Sequence, residues 1–309
     1  MKTAIEIVNF KKSYGTIPAV EGITFSVAAG ELFGLIGPDG AGKTTLIRAL
    51  CTLLKPTSGR ICISGMDANT DILRIRNILG YMPQRFSLYQ DLTVEQNLQF
   101  FADLFKVSPT KREERLDRLY QFSRLENFKK RLAGALSGGM KQKLALSCAL
   151  IHTPDILILD EPTYGVDPLS RQEFWEILKS IQQQGTTILV STAYMEEAEL
   201  CDRVALMHKG KVVEIDSPEK IKAKYPYPLY RCEGKDLQQL RDFFKNLDSV
   251  RQIQLFGNAV HISFNQNPSP EDWHTWQNQS TGFLQSWKDH EPSMEDLFLY
   301  FINQEHNHE

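Results

Sequence analysis

Leu32-Phe33-Gly34-Leu35-Ile36-Gly37-Pro38-Asp39-Gly40-Ala41-Gly42-Lys43-Thr44-Thr45 is the stretch that decides how this chain folds. Its first five residues form a short apolar run, broken by no charge, as expected for a strand buried on both faces of a sheet. Glycines follow, and the segment from Lys43 to Leu50 has helical character. Strand, glycine loop and helix together make a phosphate-binding unit. Gly37 to Thr44 also fits the spacing G-x-x-x-x-G-K-[ST]. In such a loop the backbone of Gly37, Pro38, Asp39, Gly40, Ala41 and Gly42 wraps around phosphate oxygens and turns its N–H groups inward. The following helix points its positive end at the same place. Lys43 is expected to reach the β- and γ-phosphates, Thr44 to ligate Mg²⁺ through its hydroxyl, and Thr45 to add an α-phosphate contact.

Working outward, Ile5, Ile7 and Phe10 lead to a turn at Ser13-Tyr14-Gly15, and Ile23, Phe25 and Val27 alternate as in a strand. Residues from about 92 to 150 carry charge and apolar residues at helical spacing and predict a helical subdomain set into an α/β core. Ile156-Leu157-Ile158-Leu159 and Ile188-Leu189-Val190 are two further buried strands, with a helix from about Arg171 to Ile181 between them. Alternating strands and helices predict a parallel sheet with right-handed crossovers. The character changes at Tyr225-Pro226-Tyr227-Pro228, a plausible linker, so the expected division is 1–224 and 225–309. In the second part Leu237, Leu240, Phe243, Phe244 and Leu247 have helical spacing, Val260, Ile262 and Phe264 alternate after a Gly257-Asn258 turn, and Ser293 with Asp296 opens a last helix. That part is a small α+β domain without a recognisable chemical motif.

Composition narrows the possibilities. Net charge is −3 over 309 residues, so no basic excess advertises nucleic acid as a partner. Five scattered cysteines (Cys51, Cys62, Cys148, Cys201, Cys232) form no CxxC pair and are expected in reduced, packed surroundings. The N-terminal stretch, Met1-Lys2-Thr3-Ala4-Ile5-Glu6, lacks the pattern of a signal peptide, and no apolar run approaches bilayer length. The expected location is cytoplasmic, with any membrane role exerted through a partner.

Two further segments carry chemistry. The run Ile156 to Leu159 ends in Asp160 and Glu161, placing one carboxylate to hold Mg²⁺ through water and the next to orient or deprotonate an attacking water. In Leu136-Ser137-Gly138-Gly139-Met140-Lys141-Gln142, Ser137 can cap a helix whose first N–H groups are exposed by two glycines, which makes a second phosphate-binding surface. These two loops in this order resemble the ATP-binding cassette (ABC) family of P-loop ATPases, and the resemblance covers roughly residues 3 to 222.

The resemblance implies an ABC cassette with an antiparallel β-subdomain and a helical subdomain, binding ATP with Mg²⁺. It implies that Tyr14 stacks on adenine and that Gln84 touches Mg²⁺ and senses the γ-phosphate. Lys43, Gln84 and Glu161 would then be the catalytic set, and Thr44, Gln84 and Asp160 the metal set. Phe86-Ser87-Leu88-Tyr89 resembles the groove where a membrane partner's cytoplasmic helix docks, with ordinary core as the alternative. Gly165-Val166-Asp167-Pro168 resembles the loop that crosses a dimer interface. In this family ATP is sandwiched between the Gly37–Thr45 loop of one cassette and the Ser137–Gly139 surface of another, so the implied partners are a second cassette and a membrane permease. Tyr81-Met82-Pro83-Gln84 and the overall run are most similar to ATPases of ABC-2 type exporters, in particular to the first cassette of tandem, YbhF-type subunits. The implied place is the cytoplasmic face of the membrane.

One position departs from the family. Where a γ-phosphate-contacting histidine is expected after Ser191-Thr192, this chain has Ala193, whose methyl group donates no hydrogen bond. The expectation is ATP binding with weak hydrolysis at this chain's own site, its signature completing a competent site on a different cassette. Compensation by Thr192 or a water, in an ordinary homodimer, is the alternative.

Overall fold

The computed structural model describes residues 2–280 and 282–306; Met1, Thr281 and residues 307–309, which belong to the N-terminal stretch and the C-terminal extension read above, lie outside them. The chain divides into two compact units, Met1–Pro218 and Glu219–Glu309. That division falls a few residues ahead of the Tyr225–Pro228 linker expected from the sequence. Among the described residues no helix is long and apolar enough to cross a membrane.

In the first unit β1 (Thr3–Tyr14) and β2 (Ile17–Ala28) form a long antiparallel hairpin. Ile5, Ile7 and Phe10 of β1, with Ile23, Phe25 and Val27 of β2, are buried, as their alternation requires. All five residues of β3 (Leu32–Ile36) are buried, and α1 (Lys43–Leu50) follows after the glycine loop. Next come β4 (Ser58–Ile63) and β5 (Met66–Asp67), which complete a four-stranded antiparallel sheet in the order β2-β1-β4-β5. The chain continues through α2 (Ile72–Ile78) and β6 (Leu79–Met82).

The helical segment is built from α3 (Val94–Leu104), α4 (Pro109–Ser123) and α5 (Gly138–Leu150), with short 3₁₀ turns between the last two. Thr93 and Gln96 cap α3 reciprocally, and Val94, Leu98, Leu119, Leu144, Cys148 and Ile151 share one apolar cluster. The chain then returns to the sheet through β7 (Ile156–Asp160), α6 (Pro168–Gln183), β8 (Thr187–Thr192), β9 (Arg203–His208) and β10 (Lys211–Asp216). The second sheet runs β10-β9-β3-β8-β7-β6 and is parallel except at β10. Its central strands β3, β7 and β8 are buried throughout, and the C-terminal ends of all three converge on the glycine loop. Open parallel sheets bind ligands beyond such strand ends.

The second unit opens in the short helix α7 (Pro218–Lys222), which spans the division. It continues as β11 (Leu229–Gly234), α8 (Leu237–Lys245), β12 (Val250–Phe256), β13 (Ala259–Phe264), α9 (Pro270–Gln279), β14 (Leu284–Asp289) and α10 (Met294–His306). The strands form an antiparallel sheet ordered β12-β13-β11-β14. One face is packed with Val260, Ile262, Phe264, Leu240, Phe244, Trp273 and Trp276. Ser293 and Asp296 make reciprocal hydrogen bonds at the start of α10, the arrangement their spacing predicts.

Candidate functional site

The loop after β3 is held where glycine alone fits. A Cβ on Gly37 would stand 2.3 Å from the Met207 carbonyl oxygen, and one on Gly42 would stand 2.7 Å from that of Ala19. Gly42 also has φ +101°, in the region that favours glycine. It is the N-cap of α1 and supplies no side-chain acceptor, so the first N–H groups of the helix remain available to an anion.

Lys43 is buried at this point, and its Nζ donates to Gly37 O at 2.6 Å and Pro38 O at 3.1 Å. The same ammonium lies 3.0 Å from Glu161 Oε1. Gln84, just beyond β6, donates from Nε2 to Glu161 Oε2 at 2.8 Å. Thr44 Oγ1 donates to Asp160 Oδ1 at 3.2 Å, and Ser191 Oγ donates to the same oxygen at 2.8 Å. Burial raises the Asp160 carboxyl above its ordinary range, against the opposing hydrogen bonds from Ser191 and Thr44. Glu161 occupies left-handed backbone at φ +49°, fixed by its N–H bonding to Ser191.

These residues open on a cavity of about 640 Å³, within the range of small-molecule sites. Its walls include Asp39, Gly40, Ala41, Gly42, Lys43, Thr44, Thr45, Gln84 and Glu161. They also include residues the sequence reading passed over: Pro18, Ala19, Glu21, Tyr164, Lys209 and Gly210. Lys209-Gly210 carries an ordinary hairpin signal, but nothing local says that this hairpin reaches the glycine loop. Ser191, the hydroxyl that links Asp160 to Glu161, was likewise missed because it contributes no motif of its own.

Other expected residues lie apart. Tyr14 is about half exposed at the β1–β2 turn, with the Lys12 ammonium 5.4 Å from its ring centre, and it does not line the cavity. Ser137 and Gly138 are exposed at the start of α5 and are not among the residues that line the cavity. Ser137 Oγ accepts from Met140 N, and Gly139 packs against Ser170 of α6, which Asp167 caps. Tyr164 and Leu169, on either side of the Gly165–Pro168 loop, are exposed.

Ala193 is half-buried beyond β8. The neighbouring Thr192 hydroxyl accepts from Tyr194 N at 3.0 Å, while Thr192 O accepts from Gly37 N at 3.2 Å. The segment after Ala193 is tied back to the carboxylate turn. Thr163 Oγ1 donates to buried Glu197 at 2.8 Å, and the Arg171 guanidinium stacks 3.8 Å from the centre of the Tyr194 ring.

Phe86 to Tyr89 divide between the two environments considered for them. Leu88 is buried in the helical-segment core, and Phe86 packs against it. Tyr89 is half exposed beside Phe100. A groove of about 330 Å³ runs past Ser87, Leu88, Phe101, Phe105 and His152.

Comparison with known proteins agrees with this geometry. Residues 20–164 match the family model described as ABC transporter. The Escherichia coli K12 protein named probable multidrug ABC transporter ATP-binding protein YbhF is 44% identical over 223 residues, 72% of this chain and 39% of the relative. This chain thus spans about two fifths of that relative's length. The Rhizobium meliloti (strain 1021) Nod factor export ATP-binding protein I is 37% identical over 306 residues, 98% of this chain and 89% of the relative. Among solved structures, cbiO1 from Clostridium perfringens, part of the ABC transporter complex cbiONQ, gives a TM-score of 0.67 at 28% identity over 72% of this chain and 92% of that one. The dimeric cassette MJ0796, bound to ADP and Pi, gives 0.64 at 27% identity over 69% and 98%. With the phosphate loop, the paired carboxylates and the capped glycine signature in place on that fold, and with near full-length similarity to an export ATP-binding protein, the chain belongs to the ABC transporter ATPase family.

Proposed function

We propose that this chain is the ATP-binding, ATP-hydrolysing subunit of an ABC-2 type exporter, acting on the cytoplasmic face of a membrane through a separate permease. The observation that carries the reading is the meeting of Lys43, Glu161 and Gln84 at 2.8–3.0 Å beside the Gly37–Gly42 loop. Lys43 and the free N–H groups of α1 hold the β- and γ-phosphates, and Tyr14 stacks on adenine. Glu161 takes the proton of the attacking water, and its left-handed backbone aims the carboxylate into the cavity.

Mg²⁺ fits this donor set, because the Thr44 hydroxyl and the buried Asp160 carboxylate meet at 3.2 Å and offer the hard oxygen donors the ion takes. Thr44 and Gln84 would hold the ion directly and Asp160 through water, and the bound ion would neutralise phosphate charge. The Ser137–Gly138 surface is exposed and does not line this chain's own cavity, which supports its closing over ATP held by a second cassette. The groove beside Leu88 and Phe105 offers the permease a docking surface. Closure around ATP and reopening after hydrolysis transmit force to that partner.

Ala193 favours slow turnover at this chain's own site, in a pair whose other cassette supplies the faster one. The alternative, a regulatory subunit that binds ATP and scarcely turns it over, rests on the same residue. Steady-state hydrolysis by the native chain and its Ala193→His variant, with nucleotide affinity measured for both, tests the reading. Slow native turnover that rises at least tenfold with histidine supports the asymmetric pair. Rapid native turnover, unchanged by histidine, defeats asymmetry and leaves a homodimeric motor. Absence of turnover in both, with affinity intact, favours the regulatory subunit.

A further inference from the structure

The sheet of the second unit has two unlike faces. Val260, Ile262 and Phe264 of β13 enter the aromatic core, so His261 between them points to the opposite side. There it is 6% exposed, and Asp296, in the first turn of α10, is 2% exposed. His261 Nδ1 lies 3.2 Å from each Asp296 carboxylate oxygen. His290, just past β14 and fixed by its N–H bond to Leu229 O, brings its half-buried ring to 4.3 Å from that of His261. One donor atom from each of the three residues lies within 4.8 Å of the other two.

We propose that His261, His290 and Asp296 form a binding site for a single divalent transition-metal ion of the zinc type, with water as the fourth ligand. Two imidazoles and one carboxylate suit zinc and its neighbours, whereas magnesium and calcium take oxygen donors. The spacing fits as well. Two ligands bound at 2.0–2.2 Å with a tetrahedral angle stand about 3.4 Å apart, and the His261–Asp296 pair is already at 3.2 Å.

The surroundings hold the carboxylate in a ligating pose. Ser293 donates to Asp296 Oδ2 from its N–H at 2.9 Å and its hydroxyl at 2.6 Å, which fixes the side chain and leaves Oδ1 turned to His261. Arg231, opposite His261 across the sheet, directs its guanidinium to Glu233 and Asn258. Metal capture needs His290 to move inward by at most about 1.4 Å, the difference between the 4.8 Å limit on the donor separations and a tetrahedral edge of about 3.4 Å. Its partial exposure permits that movement and provides the entry path. A simple His261–Asp296 hydrogen bond accounts for two of the residues but not for the imidazole beside them.

The test uses the full chain, stripped with EDTA and titrated with ZnCl₂ by calorimetry and thermal melting. The native chain is expected to bind one Zn²⁺ that MgCl₂ does not displace, and to melt higher when loaded. His290→Ala, at a half-exposed position, should keep the EDTA-treated melting temperature, lose the zinc-dependent rise and weaken binding roughly tenfold or more. His261→Asn should do the same to binding, while His274→Ala, an exposed histidine on α9, should change nothing. No stoichiometric zinc in the native chain overturns the proposal. So does zinc binding that survives both His290→Ala and His261→Asn, which would place the ion elsewhere.

Discussion

Lys43 Nζ sits 3.0 Å from Glu161 Oε1, so the cation proposed for phosphate and the base proposed for water are paired with each other. Both side chains are at most 5% exposed, and Gln84 holds the other Glu161 oxygen. On the proposed function, bound nucleotide competes with this pairing by drawing Lys43 to the phosphates and freeing the carboxylate. Lys43→Ala strands a buried carboxylate and is expected to lower the stability of the nucleotide-free chain by about 3 kcal/mol or more. Urea unfolding measures it; a midpoint equal to the native one would show that the pair is not held in solution.

The two signature glycines should fail differently. A Cβ on Gly139 would lie 2.6 Å from Ser170 Cβ, whereas one on Gly138 meets nothing closer than Gly165 O at 3.9 Å. Gly139→Ala is therefore expected to destabilise the fold by about 1–3 kcal/mol through overpacking. Gly138→Ala should unfold with the native midpoint yet lose ATP-dependent dimerisation in size-exclusion chromatography. Equal thermal midpoints for the two variants would contradict the packing described.

Tyr14 tests whether the open turn closes on adenine. Removing a stacked ring costs about 1–3 kcal/mol per base, so Tyr14→Ala should weaken ATP binding at least fivefold and Tyr14→Phe should restore it. Unchanged affinity in both would transfer the adenine contact to the Pro18–Ala19 wall.

The cysteines give a pH-dependent readout of packing. Burial raises the thiols of Cys51, Cys148, Cys201 and Cys232 above the ordinary range, and nearby carboxylates push Cys51 and Cys201 the same way. A raised pKa means less thiolate at any given pH, and the thiolate is the reactive form. Iodoacetamide at pH 8 to 9 is expected to label only half-buried Cys62 in the native chain and all five after denaturation. Labelling of Cys148 under native conditions, followed by peptide mass, would contradict the closed helical-segment core.

The sequence by itself determined the parts of this protein whose chemistry is local. A buried strand, a glycine loop and a helix follow one another within a few residues, so the Gly37–Gly42 loop between β3 and α1 was legible from spacing alone. Alternation marked the β1–β2 hairpin and β13, and Ser293 with Asp296 marked the start of α10, because strand faces and helix caps are set within a few residues. The tertiary structure decided what depends on distant segments meeting. Ser191 joins Asp160 and Glu161 from a neighbouring strand, and Lys209-Gly210 reaches the cavity from another hairpin. His261, His290 and Asp296 come from a strand, a loop and a helix. No spacing rule connects such residues, since their proximity follows from sheet order and packing and not from separation along the chain.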